Sequence, residues 1–383
     1  MNTPLPYLQL IQHFRPFIQP QDQRHLTVFS EIIAAIVLSG SATISHWLPF
    51  LSHRHCHARS HMARLSYFLL NPNISPSVFY LPLLQFFLQS WHSQPIVLAL
   101  DTSVLWDKFC LIEVSFAWGG RSFCLAQKVI EHNSATVGFA DYVPVLEMAR
   151  KSLPPNCQVT FLADRGFEHT QLIHWLNNHH WSWYIRAKSD LSVKGNGYSQ
   201  PLSDLCPKAN QVHLFCDVTI LDGIKCNLGI ANEANSKEDW AVITNEPLSL
   251  QTFAVYGKRF GGIEPHFKDY KSACFDLLNS KFRNAQGLTN LLMLISVAEL
   301  IALSMALLVM KGKELSRFDW HSKRGLSFLN LGMRKIQSMF YEGNRCLYFQ
   351  SLPRINPPPA CASKKKAERQ RYGIEFDKVV FYQ

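Results

Sequence analysis

Leu288 to Met310 runs for 23 residues with Glu299 as its only ionisable side chain. A stretch of that length and polarity has two fates: it crosses a membrane, or it is buried on every side in a large core. A carboxylate near the middle is costly in lipid, whereas Asn290, Ser296 and Ser304 suit a helix packed between layers of protein, so a buried core helix is expected. With 383 residues, 47% of them hydrophobic, the chain is long and apolar enough to supply such a core and to divide into two or three domains.

Composition narrows the partner more than the fold. The 38 Lys and Arg against 28 Asp and Glu give a formal charge of +10, before sixteen histidines are counted, which favours a polyanionic partner. None of the ten cysteines stands in a C-x-x-C pair, so reduced, mostly buried thiols are expected. The N-terminus lacks a charged segment followed by a long apolar run, and the expected location is the cytoplasm, with no membrane partner.

Periodicity divides the chain into five stretches. Residues 1–93 read as a helical domain, with apolar spacing in His25 to Leu38 that ends at Gly40. Between its helices, His53 to Arg64 carries three arginines and four histidines, which is either a contact to a DNA backbone or a solvated basic face. Its His and Cys residues match no structural zinc spacing. From 94 to 190 the order is strand, hairpin, helix, strand, helix, strand, as in mixed α/β cores, the hairpin turning at Trp118-Gly119-Gly120-Arg121. Residues 191–247 become β-rich with Gly, Asn and Asp turns and read as an insertion. Helical periodicity returns over 248–345, and 346–383 is a basic tail, mobile from Pro353 onward, holding PPP and KKKAERQR.

Two strands share one device: the apolar run Ile96 to Leu100 leads straight into Asp101, and Gln158 to Ala163 leads into Asp164. A carboxylate at the end of a buried strand is exposed at the sheet's edge or bound to something. A third acid, Glu264, shares a helical face with Lys268 and Lys271 at i, i+4 and i+7, which points one acid and two cations the same way.

The stretch Val255 to Ser272, VYGKRFGGIEPHFKDYKS, resembles the signature of cut-and-paste, hairpin-forming insertion-sequence transposases of the DDE type, in which Tyr, Arg, Glu and Lys follow at set intervals. Tyr256, Arg259, Glu264 and Lys271 supply that pattern, and LALDTS and FLADRGF resemble the settings of the family's two aspartates. The resemblance covers about residues 96 to 310. It implies a ribonuclease H-like α/β core interrupted by the β-rich insertion and preceded by the helical domain as a DNA-binding unit. It also implies Asp101, Asp164 and Glu264 as catalytic ligands of two Mg²⁺ or Mn²⁺ ions, which should then lie within about 8 Å of one another. Arg186, Tyr256, Arg259, Lys268 and Lys271 would contact DNA. Trp240 matches the tryptophan that stacks on a flipped base, against the alternative of a buried strand tryptophan.

The activity implied is cutting at terminal inverted repeats through a hairpin, then joining to target DNA, with a homodimer in the synaptic complex. The rival readings are an inactive transposase-derived DNA-binding protein and another ribonuclease H-like nuclease such as a junction resolvase. The sequence departs from the pattern between Arg259 and Glu264, which have four residues between them, Gly261-Gly262 included, where the family has three. Five positions turn a side chain by about 140° on a continuous helix, so a helix break at Gly262 is expected, with Pro265 in the first turn of the next helix.

Overall fold

The computed structural model describes residues 5–52, 55–233, 239–344, 346–361 and 376–382, and for residues 260 and 261 the backbone. Among the described residues, eleven strands form one mixed sheet. The first five are β1 (Pro95–Leu105), β2 (Phe109–Trp118), β3 (Arg121–Glu131), β4 (Gln158–Ala163) and β5 (Ser182–Arg186). They lie in the order β3-β2-β1-β4-β5, with β1, β4 and β5 mutually parallel and β2 antiparallel between β1 and β3. The β2–β3 turn is the glycine pair the sequence marks: Gly119 and Gly120 have φ of 62° and 77°, the sense that matches the twist of a tight hairpin.

The remaining strands are β6 (Ser192–Gly195), β7 (Tyr198–Pro201), β8 (Gln211–Ile220), β9 (Ile224–Asn232), β10 (Trp240–Thr244) and β11 (Lys378–Tyr382). The stretch 191–247 is β-rich as its texture indicates, but it forms no separate sheet. β10 pairs directly with β5, and β9, β8, β6 and β7 continue outward from it.

The helices carry the apolar bulk. They are α1 (Pro6–Phe14), α2 (Gln23–Ser39), α3 (Ala58–Leu70), α4 (Leu81–Leu88), α5 (Phe139–Ser152), α6 (Thr170–Asn178), α7 (Gln251–Lys268), α8 (Ala285–Lys311) and α9 (Phe328–Tyr341), with short turns between. α2 starts on Asp22, whose side chain accepts the Arg24 amide, and stops at Gly40 in a left-handed conformation with φ 62°. α8 contains the 23-residue apolar run, capped by Asn284. Buried over 94% of its most apolar stretch, it packs against β3, α2, α3 and α9. Its polar groups are satisfied inside: Asn290 donates to Leu69 O at 2.8 Å, and Ser296 and Ser304 donate to carbonyls one turn back. The N-terminal helices share this core with the sheet, in one connected cluster of buried side chains.

Two expectations are corrected here. Residues 353–361 do not hang loose: Trp118 Nε1 donates to Ile355 O at 2.6 Å and Gly119 N donates to Asn356 Oδ1 at 2.9 Å, so this segment lies across the β2–β3 turn. KKKAERQR lies outside the described residues, and β11 beyond it pairs in parallel with β8. Of the ten cysteines, expected to be mostly buried, only Cys110, Cys124 and Cys226 are buried. In the basic N-terminal segment, of which His53 and Arg54 lie outside the described residues, Arg64 bonds at 2.6 Å to Glu31, whose side chain is 1% exposed. That arginine ties α3 to α2.

Candidate active site

The parallel ladder between β1 and β4 ends at Leu100 opposite Ala163, so Asp101 and Asp164 follow side by side in register. β1 itself does not stop there. It runs on to Leu105 against β2, which places Asp101 mid-strand opposite Glu113; the sequence expectation that Asp101 closes its strand is corrected. The aspartate stands where one neighbouring strand ends and the other continues. Each aspartate is fixed by a backbone amide, Asp101 Oδ1 accepting from Thr102 N and Asp164 Oδ1 from Arg165 N, both at 2.8 Å.

α7 lies across this corner. The expected break at Gly262 is absent: the helix is continuous from Gln251 to Lys268 with Pro265 inside it. Gly262 instead faces the β2–β3 hairpin, where an added Cβ would touch Ala117 Cβ and Arg121 O at 3.6 Å. Residues 256, 259, 263, 266 and 270 form the stripe that faces the sheet, and Tyr256, Arg259, Ile263, His266 and Tyr270 are all buried. Arg259, 3% exposed, reaches three acids at once. Its Nη2 lies 2.8 Å from Asp101 Oδ2 and 4.0 Å from Asp164 Oδ2, and its Nη1 lies 3.3 Å from Glu264 Oε1. The two aspartate oxygens are therefore no further apart than those two legs laid end to end. Arginine's length spans the rotation that five helical positions impose, so no break is needed to bring residues 259 and 264 together.

The site opens toward solvent from one side to the other. Asp101, Asp164 and Glu264 side chains are 17%, 36% and 50% exposed. Burial pushes the Asp101 carboxyl up to about 6, against the pull of Arg259 and the Thr102 amide. Burial also pulls the Arg259 guanidinium down, but the surrounding charges, Asp101 first, outweigh it and hold it above its ordinary value.

The other residues singled out from the sequence fall around this corner. The α-helix ends at Lys268, which is exposed, and a π-turn over Asp269–Ala273 changes the phase, so Lys271 does not continue one α-helical face. Its Nζ donates to Val104 O at 3.1 Å, on the same strand as Asp101. Tyr256 is buried and meets Trp240 edge-on at 6.0 Å; Trp240 is half-buried at the start of β10. Arg186, half-buried at the end of β5, donates to Asp239 O at 3.4 Å.

Sequence reasoning missed a second charged group one layer deeper. His266 Nε2 lies 2.9 Å from Glu113 Oε1, and its Nδ1 lies 3.2 Å from Glu299 Oε1, with the acids 0% and 2% exposed. The approach is that of an ion pair, off the direction of a hydrogen bond. Burial pulls the His266 ring down, and Glu299 and Glu113 outweigh it, holding the ring well above the usual imidazole range. Tyr270 OH, 3.1 Å from Ser296 Oγ and 3.4 Å from Glu299 Oε2, completes the cluster. The signal was present: Arg259 and His266 stand seven positions apart on the same buried stripe, where a charged residue needs a partner.

Three carboxylates are the hard oxygen donors that Mg²⁺ or Mn²⁺ takes. Their chemistry fits such an ion. Their spacing is that of groups around a guanidinium, and among the described residues no three His, Cys, Asp or Glu side chains are arranged to hold one ion.

Residues 112–301, just under half of the chain, match the family model of the transposase DDE domain. That stretch includes Asp164 and Glu264 and begins after Asp101. No curated protein matches the chain. Among solved structures, the chain is similar to the piggyBac transposase synaptic complex with hairpin DNA, determined by cryo-EM. The likeness is 9% in identity, covers 98% of this chain and 83% of that one, and has a TM-score of 0.39.

Proposed function

We propose that this chain is a DNA transposase of the DDE type, a metal-dependent nuclease and strand transferase built on a ribonuclease H-like core, with Asp101, Asp164 and Glu264 as its catalytic carboxylates. The observation that carries the reading is the convergence of these three acids, from two strands and one helix, on the single guanidinium of Arg259. The transposase DDE domain match over 112–301 supports it. The three carboxylates would hold two divalent ions, which supply an activated oxygen nucleophile and stabilise the departing oxygen.

The chain's own residues account for the rest. The rigid β1–β4 corner fixes two of the acids, and Glu264, the most exposed of the three, closes the site from α7. Cations taken up by the acids remove the charge that holds Arg259, whose planar fork matches a phosphate as well as a carboxylate. Arg186, Lys268 and Lys271 add positive charge for the DNA backbone. Trp240, braced edge-on by Tyr256, offers a ring face to a base turned out of the duplex. In this reading water attacks the phosphorus at the element's end and the P–O3′ bond breaks, leaving a 3′-hydroxyl. That hydroxyl displaces the corresponding oxygen on the opposite strand to close a hairpin, and reopening precedes joining to target DNA. Each of the two ends needs its own site, so the synaptic complex contains at least two copies.

The test is a linear duplex carrying both ends of the DNA segment that encodes the chain, incubated with purified protein and Mg²⁺ or Mn²⁺. A nick followed by a hairpin is expected, and Asp164→Ala should still bind the duplex but leave it uncut. Binding without cleavage under either metal would assign an inactive DNA-binding protein instead. Cleavage of branched DNA with no joined product would assign a resolvase.

A further inference from the structure

The segment between α8 and α9 carries the second most exposed large hydrophobic side chain described: Trp320 is 83% exposed, exceeded only by Tyr341 at 95%. The loop that presents it is built, not slack. The Asp319 carboxylate, wholly buried, accepts from the backbone amides of His321, Gly325 and Leu326 at 3.2, 2.8 and 3.0 Å. It also holds His321 Nδ1 at 2.6 Å. His321 then stacks on the indole, with ring centroids 4.0 Å apart and planes 28° apart. Arg324 closes the loop onto the body of the protein, donating to Leu326 O and to Gly119 O in the β2–β3 turn. One face of a rigidly held tryptophan is supported by a ring and the other faces outward.

Charge decides what that face meets. From Lys311 to Arg324 five residues are basic and two acidic. Both acids are engaged within the protein, Asp319 as above and Glu314 with Lys335 at 2.7 Å and Arg317 at 3.6 Å. Lys313, Arg317 and Lys323 are exposed. Arg317 also reaches Glu342, the residue after the exposed Tyr341, at 3.5 Å. A second copy of the same chain would set positive charge against positive charge here. A nucleic acid offers phosphates to the cations and base faces to the indole.

We propose that the Trp320 loop is a nucleic-acid contact, in which the indole stacks on an unpaired base while Lys313, Arg317 and Lys323 face the backbone on either side. The contact does not depend on whether the acid cluster cuts DNA, so it is measured in EDTA on the full-length chain, with a fluorescently labelled mixed-sequence 20-nucleotide single strand and its duplex. Trp320→Ala should weaken single-strand binding roughly tenfold, Trp320→Phe should recover most of it, and the duplex should be less affected. Lys313→Gln with Lys323→Gln should retain the stacking but lower the slope of log K against log salt by about 1.4 for the single strand. Trp320 is exposed, so these variants should unfold at the same temperature as the parent. Single-strand affinity unchanged in Trp320→Ala would overturn the proposal. So would a loss of self-association in sedimentation with DNA binding intact, which would make the loop a contact between copies.

Discussion

Two groups of acids on this molecule are each organised around one cation, and both cations come from α7. Asp101 and Glu113 stand directly opposite each other across the β1–β2 ladder and so share a face of the sheet. Arg259 serves the first and His266, two helical turns on, serves the second. The chemistry is nearly the same and the setting is not. Glu113 and Glu299 are sealed from solvent, whereas the acids around Arg259 range from 17% to 50% exposed. A sealed ion pair has no route for exchange and acts as a fixed joint between sheet, α7 and α8. An open one can trade its cation for another. Burial therefore separates the structural cluster from the candidate site.

The sharpest test of that division is removal of each cation. His266→Ala leaves two buried carboxylates uncompensated and should lower stability by about 3–5 kcal/mol in denaturant unfolding. No divalent metal should restore it. Arg259→Ala leaves its acids beside solvent, where a cation can replace the guanidinium, so millimolar Mg²⁺ should recover much of whatever stability is lost. Equal rescue of both variants, or of neither, would erase the distinction.

Protonation gives a second, smaller effect with a sign for each cluster. Burial lifts Asp101 from 3.8 in the unfolded chain to about 6 in the fold. The folded state then holds that proton more tightly, so its contribution to stability is present below about pH 4 and lost as pH rises through about 6. The stability difference between the parent and Asp101→Asn should shrink across that window by at most about 3 kcal/mol, and by less because the side chain keeps some contact with water. His266 is also raised, from 6.5, so its contribution is complete below 6.5 and declines only at higher pH, through its folded value. A pH-independent offset for Asp101→Asn would show that Asp101 is not held protonated.

Competition between metal and guanidinium is smaller still. If Arg259 must yield its acids to a divalent ion, Arg259→Ala should bind Mn²⁺ more tightly than the parent without DNA, roughly tenfold or about 1.4 kcal/mol by calorimetry. Weaker binding in the variant would make Arg259 the scaffold that gathers the acids, not their competitor.

Much of the frame was legible because it rests on local pattern. The run at 288–310 with its single acid became the buried α8, the Gly119-Gly120 pair became the hairpin turn, and two apolar runs became the parallel strands that bring Asp101 and Asp164 together. What escaped depends on contacts between distant segments. Nothing in Pro353 to Cys361 foretells that it lies across the β2–β3 turn, and a β-rich stretch reads the same whether it extends a sheet or forms its own. The second acid cluster had a local clue in His266 on a buried stripe, but its partners come from a strand and a helix far away in the chain. Helix continuity at Gly261-Gly262 was misread because rotation per residue was counted without the length of an arginine side chain.

That last point gives the gentlest test. In a continuous α7, Gly262 is a helix-interior glycine, and alanine there should gain about half to one kcal/mol through helix propensity. The added methyl would meet Ala117 Cβ and Arg121 O at 3.6 Å and Ser122 Cβ at 3.7 Å, which is ordinary contact, so packing does not oppose the gain. A helix starting at Gly262 would gain little from the same change, since glycine is well tolerated at such a start. Gly262→Ala raising the denaturation midpoint therefore favours one unbroken helix carrying both Arg259 and His266. An unchanged midpoint would separate the two cations onto different elements and remove the shared support on which their comparison depends.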